Sequence, residues 1–82
     1  MTPLKELLDR VRWDPEFGRG RFELAYYDRL EKRLIRVPFE QIRFPPADHF
    51  FFEAVTDDGE VQTIPLHRVR EVARDGVVIW KR

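Results

Sequence analysis

The chain has 82 residues, no cysteine, and fifteen acidic against fifteen basic residues, so its formal net charge is zero. This size holds one small core, and the missing cysteine excludes disulfides, thiolate nucleophiles and Cys-ligated zinc. Zero net charge argues against a protein that coats long nucleic-acid duplexes. No apolar run approaches the roughly 20 residues that cross a bilayer, and the charged N-terminus is unlike a signal peptide. We therefore expect a single cytoplasmic domain over residues 1–82, with no membrane association.

A helix is predicted at the N-terminus. Thr2 can accept hydrogen bonds at the N-cap, and Pro3 suits the first helical position. Four apolar residues then recur at helical spacing and form one stripe: Leu4, Leu7, Leu8 and Val11. The helix should end near Arg12, because Pro15 disfavours helical geometry in the residue before it. Residues 14–20 contain the glycine and proline typical of a loop.

Two strands are predicted to follow. From residue 21 to residue 28 the apolar period is two, with Phe22, Leu24 and Tyr26 on one face and Glu23, Ala25 and Tyr27 on the other. Residues 34–39 form a second strand that pairs back on the first. Pro38 comes at its end, where a missing amide donor costs little. One helical turn is expected within residues 39–43.

The second half of the chain predicts two hairpins. Residues 50–56 and 60–64 flank an Asp-Asp-Gly turn, and residues 69–73 and 77–80 flank an Arg-Asp-Gly turn. Pro65 interrupts the chain between the hairpins, as a turn or a short helical corner. No internal repeat or linker is evident. We predict an α+β fold with the N-terminal helix packed on a five- or six-stranded, mostly antiparallel, barrel-like sheet.

Four clusters combine a ring with nearby charges. They are Arg12-Trp13-Asp14, Tyr26-x-Asp28-Arg29, His67-Arg68-x-Arg70 and Trp80-Lys81-Arg82. An aromatic ring offers a base a stacking face, and an arginine offers phosphate a pair of parallel donors. Together these groups suit a single nucleotide with a terminal phosphate.

Each cluster also has a structural interpretation. We expect Trp13 and Trp80 to be core or core-edge residues rather than stacking platforms. Turn or solubilising roles are the alternative for Arg12, Asp28, Arg29, Arg70 and Arg82. Ligand contact is favoured at His67, because it follows a chain break where loops expose functional side chains. A structural or incidental role is favoured for His49.

Catalysis has little support in the residue inventory. There is no serine or cysteine nucleophile and no Gly-rich phosphate loop. A metal site would need His49, His67 and scattered carboxylates at no familiar spacing. We therefore predict a non-enzymatic protein without a cofactor or metal.

With these residues in view, the chain resembles the RNA cyclic-group end recognition domain family. The similarity covers essentially the whole length and follows these segments: Arg12-Trp13-Asp14-Pro15, Tyr26-x-Asp28-Arg29, Val37-Pro38-Phe39 with Ile42, Phe51-Phe52-Glu53, Ile64-Pro65-Leu66-His67-Arg68-Val69-Arg70 and Trp80-x-Arg82. The I-P-x-H-R stretch and the closing W-x-R are its specific parts.

The resemblance implies a module that recognises RNA with a 2′,3′-cyclic phosphate or a related processed 3′ end. Similar domains occur alone or fused to RNA-repair and RNA-processing enzymes, such as 2H phosphoesterases, phosphatases and nucleotidyltransferases. The matching motifs carry over five ligand contacts: Tyr26, Asp28, Arg29, His67 and Arg68. Because the chain ends at Arg82, we expect any such enzyme to be a separate partner.

We hypothesise that the Tyr26–Arg29 and Pro65–Arg70 corners converge on one shallow pocket. Arg29 and Arg68 would hold the terminal phosphate, and His67 would donate to it or to a ribose oxygen. Asp28 would orient an arginine or accept from a ribose hydroxyl, and Tyr26 would stack on or flank the base. Arg70 completes the predicted contacts, and four residues are predicted to support them: Arg12, Trp13, Trp80 and Arg82.

Two alternatives belong to other functional classes. A protein-interaction module that docks onto an RNA-processing enzyme would use an edge strand or the apolar residues 50–52. A weak metal-independent phosphodiesterase would use His67 with a second acid or base within hydrogen-bond reach of one phosphate.

Overall fold

The computed structural model describes residues 3–45 and 50–82. The elements in chain order are α1 (Leu4–Trp13), β1 (Phe22–Asp28), β2 (Arg33–Pro38), the 3₁₀ turn η1 (Phe39–Gln41), β3 (Ile42–Arg43), β4 (Phe51–Val55), β5 (Val61–Pro65), the 3₁₀ turn η2 (Leu66–Arg68), β6 (Val69–Arg74) and β7 (Val77–Lys81). No helix in these ranges has the length and apolar character needed to cross a membrane.

The strands of the described residues form two antiparallel sheets. The larger sheet has the order β2-β1-β6-β7, and the smaller has the order β3-β4-β5. The predicted α+β class with an N-terminal helix is confirmed. The prediction of one barrel-like sheet of five or six strands is wrong, because the chain turns between the sheets at η1 and η2 and the two sheets do not close into a barrel.

The helix α1 begins one residue later than predicted. Pro3 is its N-cap residue and makes no side-chain cap, while Thr2 lies outside the described residues. The predicted stripe faces the core, with Leu4, Leu7 and Leu8 buried and Val11 packed partly against them. The helix ends at Trp13, where the amide of Asp14 donates to the carbonyl of Arg10 at 3.0 Å.

One apolar core lies between the inner face of the larger sheet and a second layer made of α1 and the smaller sheet. Its buried members are Leu4, Leu7, Leu8, Phe22, Leu24, Tyr26, Val37, Phe52, Ala54, Ile64, Val69, Val72 and Trp80. Leu24, Phe52 and Val72 have no solvent exposure. Truncating a large buried side chain of this kind to alanine costs roughly 2–5 kcal/mol of stability.

The two 3₁₀ turns are corners at which the chain passes from one sheet to the other. They share one local pattern, aliphatic-Pro-apolar-x-x-aliphatic-Arg, at residues 37–43 and 64–70. The strand register repeats as well, since Ile42 pairs with Ala54 after the first corner and Val69 pairs with Tyr26 after the second. The fold is therefore a topological repeat in which β1-β2-η1-β3 corresponds to β4-β5-η2-β6. The sequence does not make this repeat evident, because only the proline and the arginine of the pattern are identical.

Candidate nucleic-acid interface

The β1–β2 turn and η2 lie at the same end of the larger sheet. Tyr26 near the end of β1 pairs with Val69 at the start of β6, and β1 contacts η2. The β1–β2 turn, which carries Arg29, follows this pair on one strand, while η2, which carries His67, precedes it on the other. Arg29 and His67 are therefore not on opposite sides of the molecule. We call this end of the sheet the η2 corner.

Arg70 and Arg82 both hold the backbone of the η2 corner. Nη1 of Arg70 donates to the carbonyl oxygen of His67 at 2.7 Å, and Nη1 of Arg82 donates to the same oxygen at 3.1 Å. The guanidinium carbon of Arg82 also lies 5.0 Å from the ring centroid of Trp80. The interpretation of these arginines as merely solubilising charges is wrong, because they brace η2 and bring two cations close together.

Arg29 and Arg68 are different, since nothing in the described part of the chain pairs with their guanidinium groups. Arg29 is exposed, and Arg68 is half-buried. In the repeat, Gln41 of η1 corresponds to Arg68 of η2, and Asp57 of the β4–β5 turn corresponds to Arg29 of the β1–β2 turn. There Nε2 of Gln41 donates to Oδ1 of Asp57 at 3.2 Å. The first corner thus joins a donor to an acceptor, whereas the η2 corner carries a cation at both corresponding positions.

Asp28 shapes the turn that carries Arg29. Its Oδ1 accepts hydrogen bonds from the amides of Leu30 at 2.8 Å and Glu31 at 3.1 Å. A short carboxylate that caps its own turn in this way is common in tight connections. One oxygen of Asp28 is therefore already engaged with the backbone.

Tyr26 is part of the core. Only 6% of it is exposed, and its ring lies edge-on to that of Phe52 with the centroids 6.1 Å apart. The prediction that Tyr26 stacks on a base is wrong, because the alternation along β1 turns its ring inward. Burial, together with the nearby carboxylates of Asp28 and Glu31, raises the pKa of the Tyr26 hydroxyl and favours its neutral form.

The two tryptophans have opposite environments. Trp80 is 6% exposed and lies in the core as predicted, whereas Trp13 is 75% exposed, so its prediction as a core or supporting residue is wrong. Trp13 comes two residues after Val11, about 200° around the helix from the buried stripe. The guanidinium carbon of Arg12 lies 5.5 Å from the Trp13 ring and 5.9 Å from the ring of Phe44. Phe44 follows β3 of the smaller sheet, and among the described residues Arg12 and Trp13 make no ring contact or ion pair with a residue of the η2 corner.

Two exposed rings lie beside the η2 corner: Tyr27, which sequence reasoning did not assign to the site, and Phe50, which it named only as part of a protein-interaction surface. Tyr27 is 37% exposed and lies on the outer face of the larger sheet, opposite the core. Phe50 is 76% exposed, and its carbonyl accepts the amide of Leu66 in η2 at 2.8 Å. The Tyr-Tyr pair was the available signal, since consecutive strand residues face opposite sides. The other histidine, His49, lies outside the described residues.

A separate groove of about 580 Å³ runs between α1 and β7. It is lined by Glu6, Leu7, Arg10, Phe17, Ile79, Trp80 and Lys81. Arg10 is already close to Asp14, at 3.8 Å, and its guanidinium covers the ring of Phe17. The groove therefore offers fewer available cations than the η2 corner. In the ranges 3–45 and 50–82, no three acidic or histidine side chains are grouped as metal ligands.

Comparison with known proteins decides the family. The family model of the MJ1316 RNA cyclic group end recognition domain matches residues 1–82. This chain belongs to that family. A UPF0248 protein of Metallosphaera sedula is 32% identical to this family member over 79 residues, which cover 96% of the chain and 91% of that protein. No solved structure matches the chain.

Proposed function

We propose that this protein binds the 3′ ends of single-stranded RNA that carry a 2′,3′-cyclic phosphate, and that it binds them without cleaving them. Its family is named for recognition of cyclic RNA ends. The observation that carries the proposal is that no described residue pairs with Arg29 or Arg68, the two cations that the β1–β2 turn and η2 bring to the η2 corner.

The repeat supports the idea that the side chains of Arg29 and Arg68 come close to each other, because the two corresponding residues are in contact. Gln41 and Asp57 meet at 3.2 Å in the first corner. Arginine is longer than either residue, so the guanidinium groups of Arg29 and Arg68 can reach one shared space. Two like charges in one space repel each other unless an anion lies between them. Phosphate is the anion that fits best, because its oxygens match the parallel donors of guanidinium.

Preference for the cyclic form requires more than charge. A linear terminal phosphate carries about −1.5 to −2 charges at neutral pH, whereas a cyclic diester carries about −1, so arginine alone would favour the linear end. We attribute the preference for the cyclic end to contacts around the ribose, where the exposed His67 would donate a hydrogen bond to a bridging oxygen of the cyclic phosphate. His67 is suited to this role because its own carbonyl is fixed by Arg70 and Arg82.

The state of the neighbouring carboxylates supports binding without cleavage. Metal-free cleavage needs a general acid and a general base positioned on the same phosphate. At the η2 corner Asp28 caps its turn, and Glu31 pairs with Arg33 at 3.1 Å. We expect no turnover when the protein is incubated with a cyclic-phosphate dinucleotide, and hydrolysis that His67→Ala abolishes would overturn this part of the proposal.

The central experiment compares three oligonucleotides of one sequence that end in a hydroxyl, a linear phosphate or a cyclic phosphate. Fluorescence anisotropy should give the tightest binding for the cyclic end. Arg68→Ala should weaken that binding about 10- to 100-fold, the range of one hydrogen bond to a charged group. Equal affinities for the three ends would overturn the proposal.

Arg21→Ala is the matched control for this experiment. Arg21 is an exposed arginine immediately before β1, so it lies at the far end of that strand from the η2 corner. Its amide and carbonyl, rather than its side chain, pair with Asp75 at 2.8 Å. The variant removes the same charge at the opposite end of the larger sheet and should leave the affinity for the cyclic end unchanged.

A further inference from the structure

An exposed apolar patch adjoins the η2 corner on the outer face of the larger sheet. Tyr27 of β1 and Leu34 of β2 are paired in register, so both side chains stand on this face. They are 37% and 40% exposed, and the core lies on the opposite face of the sheet. We call these two residues the outer platform.

An ion pair bounds the outer platform toward the middle of the sheet. Arg36 and Glu71 are both paired in register with Ala25, from the strands on either side of β1. Their side chains meet at 2.9 Å, and Ala25 beneath them has no solvent exposure. The ion pair forms a ridge, so the platform opens toward the strand end at which the η2 corner lies.

The platform is next to the residues assigned to the phosphate. Tyr27 follows Tyr26 on β1, and Arg68 precedes Val69, the register partner of Tyr26. Tyr27 and Arg68 therefore flank the same cross-strand pair at the end of β1 where η2 contacts this strand, and Arg29 is two residues beyond Tyr27. In a nucleotide one ribose separates the base from its 3′ phosphate, so a phosphate held by Arg29 and Arg68 leaves the base within reach of the platform.

We propose that the base of the terminal nucleotide stacks on the ring of Tyr27, with Leu34 beside it. This inference rests on the proposed function and adds the terminal base to the phosphate as a group that the site recognises. Every base has a stacking face, so the contact would be tolerant of sequence. It requires the terminal base to be unpaired, so an RNA end closed by a base pair should bind more weakly. Arg29 and Arg68, the cations beside the platform that no described residue pairs with, suit an RNA strand better than an apolar protein surface.

The test uses a cyclic-phosphate oligonucleotide whose terminal base is 2-aminopurine, which loses fluorescence when it stacks. Binding to the wild-type protein should quench the probe, and Tyr27→Phe should preserve the quenching. Tyr27→Ala should abolish it and weaken binding roughly 5- to 100-fold, the range found for loss of one base–aromatic stack. Val78→Ala is the matched control, because Val78 is exposed on the same face but pairs with Ala73 away from the η2 corner.

A second ligand tests the same contact with the wild-type protein, so the result does not depend on whether Tyr27→Ala folds. An oligonucleotide whose terminal nucleotide lacks its base should bind the wild-type protein as weakly as Tyr27→Ala binds the complete oligonucleotide. Unchanged affinity for this ligand would overturn the stacking inference.

The Arg68→Ala arm separates the two proposals. If Arg68→Ala weakens binding while Tyr27→Ala changes neither affinity nor quenching, the outer platform is not an RNA contact and the phosphate site stands. If the wild-type protein binds none of the RNA ends, the proposed function fails and the stacking inference fails with it.

Discussion

Tyr26 and Tyr27 are adjacent in the chain, yet strand geometry gives them opposite environments. The ring of Tyr26 packs against Phe52 in the core, while Tyr27 stands on the outer face of the larger sheet. A family motif marks the first tyrosine, but only the second has a ring that a base could contact. At the scale of single residues, physical alternation therefore corrects what a motif alone assigns.

Tyr26 should leave a signature in the pH dependence of stability. Burial of the ring, then the carboxylates of Asp28 and Glu31, raise its pKa above the ordinary value of 10.0. The folded protein thus holds the phenolic proton more tightly than the unfolded chain does. This stabilising contribution is fully present below pH 10 and is lost as the pH rises through the folded-state pKa.

Tyr26→Phe removes this titration. Urea unfolding between about pH 9 and 11 should show a free energy of unfolding that falls less steeply with pH in Tyr26→Phe than in the wild-type protein. Tyr27→Phe, which deletes a hydroxyl on the exposed face, should follow the wild-type curve. Parallel curves for the wild-type protein and Tyr26→Phe would show that Tyr26 is not in this environment.

The two tryptophans should differ strongly in their contribution to stability. Trp80→Ala should lower the free energy of unfolding by roughly 3–5 kcal/mol, because it empties a site in the core. Trp13→Ala should change it by about 0.5 kcal/mol or less, as expected for an exposed side chain. Chemical denaturation of both variants measures the difference. Equal losses of stability would contradict the structure, in which Trp80 is buried and Trp13 is exposed.

Much of the burial could be predicted from the sequence. The period of two along β1 and the stripe of α1 identified the inward residues correctly. The exposure of Trp13 follows from the same helical period, since its angular position lies away from the stripe. The prediction failed there because aromatic character was given more weight than helical position.

At the scale of elements, the η2 turn depends on two arginines that share one acceptor. The carbonyl of His67 accepts from both Arg70 and Arg82, so either donor alone still satisfies it. Each single alanine variant should therefore lose only about 0.5–1.5 kcal/mol, while the double variant leaves the carbonyl without either donor. We expect the double variant to lose more than the two single variants together, as a urea double-mutant cycle would measure. A strictly additive cycle would show that the two hydrogen bonds act independently.

The elements that could be predicted are those with a local signal. The N-terminal helix and the three hairpins each have periodicity and turn residues within a short segment. The two-residue strand β3 has no such signal, because it exists only through pairing of Ile42 and Arg43 with β4. Residues 39–43 were predicted as one helical turn, and the division between η1 and β3 depends on that long-range pairing.

For the whole molecule, the meeting of the β1–β2 turn with η2 depends on register between distant strands. Tyr26 and Val69 are paired although more than half of the chain separates them. No local pattern shows such a pairing, so the proximity of the two corners could be proposed from the sequence only through the family resemblance. The topological repeat supplies a physical reason, since the same register joins Ile42 to Ala54.

The salt dependence of binding measures how many phosphates of the ligand the protein contacts. Because the net charge is zero, attraction for RNA has to come from the local cations of the η2 corner rather than from a broad field. Contact with two to four phosphates of a single strand predicts a log–log slope of affinity against salt of about −1.4 to −2.8. Arg68→Ala should make the slope shallower by about 0.7, the share of one phosphate contact, while Arg21→Ala should leave it unchanged. A slope near zero would mean that no arginine holds a phosphate, whereas a much steeper slope would require a longer basic track than the η2 corner offers.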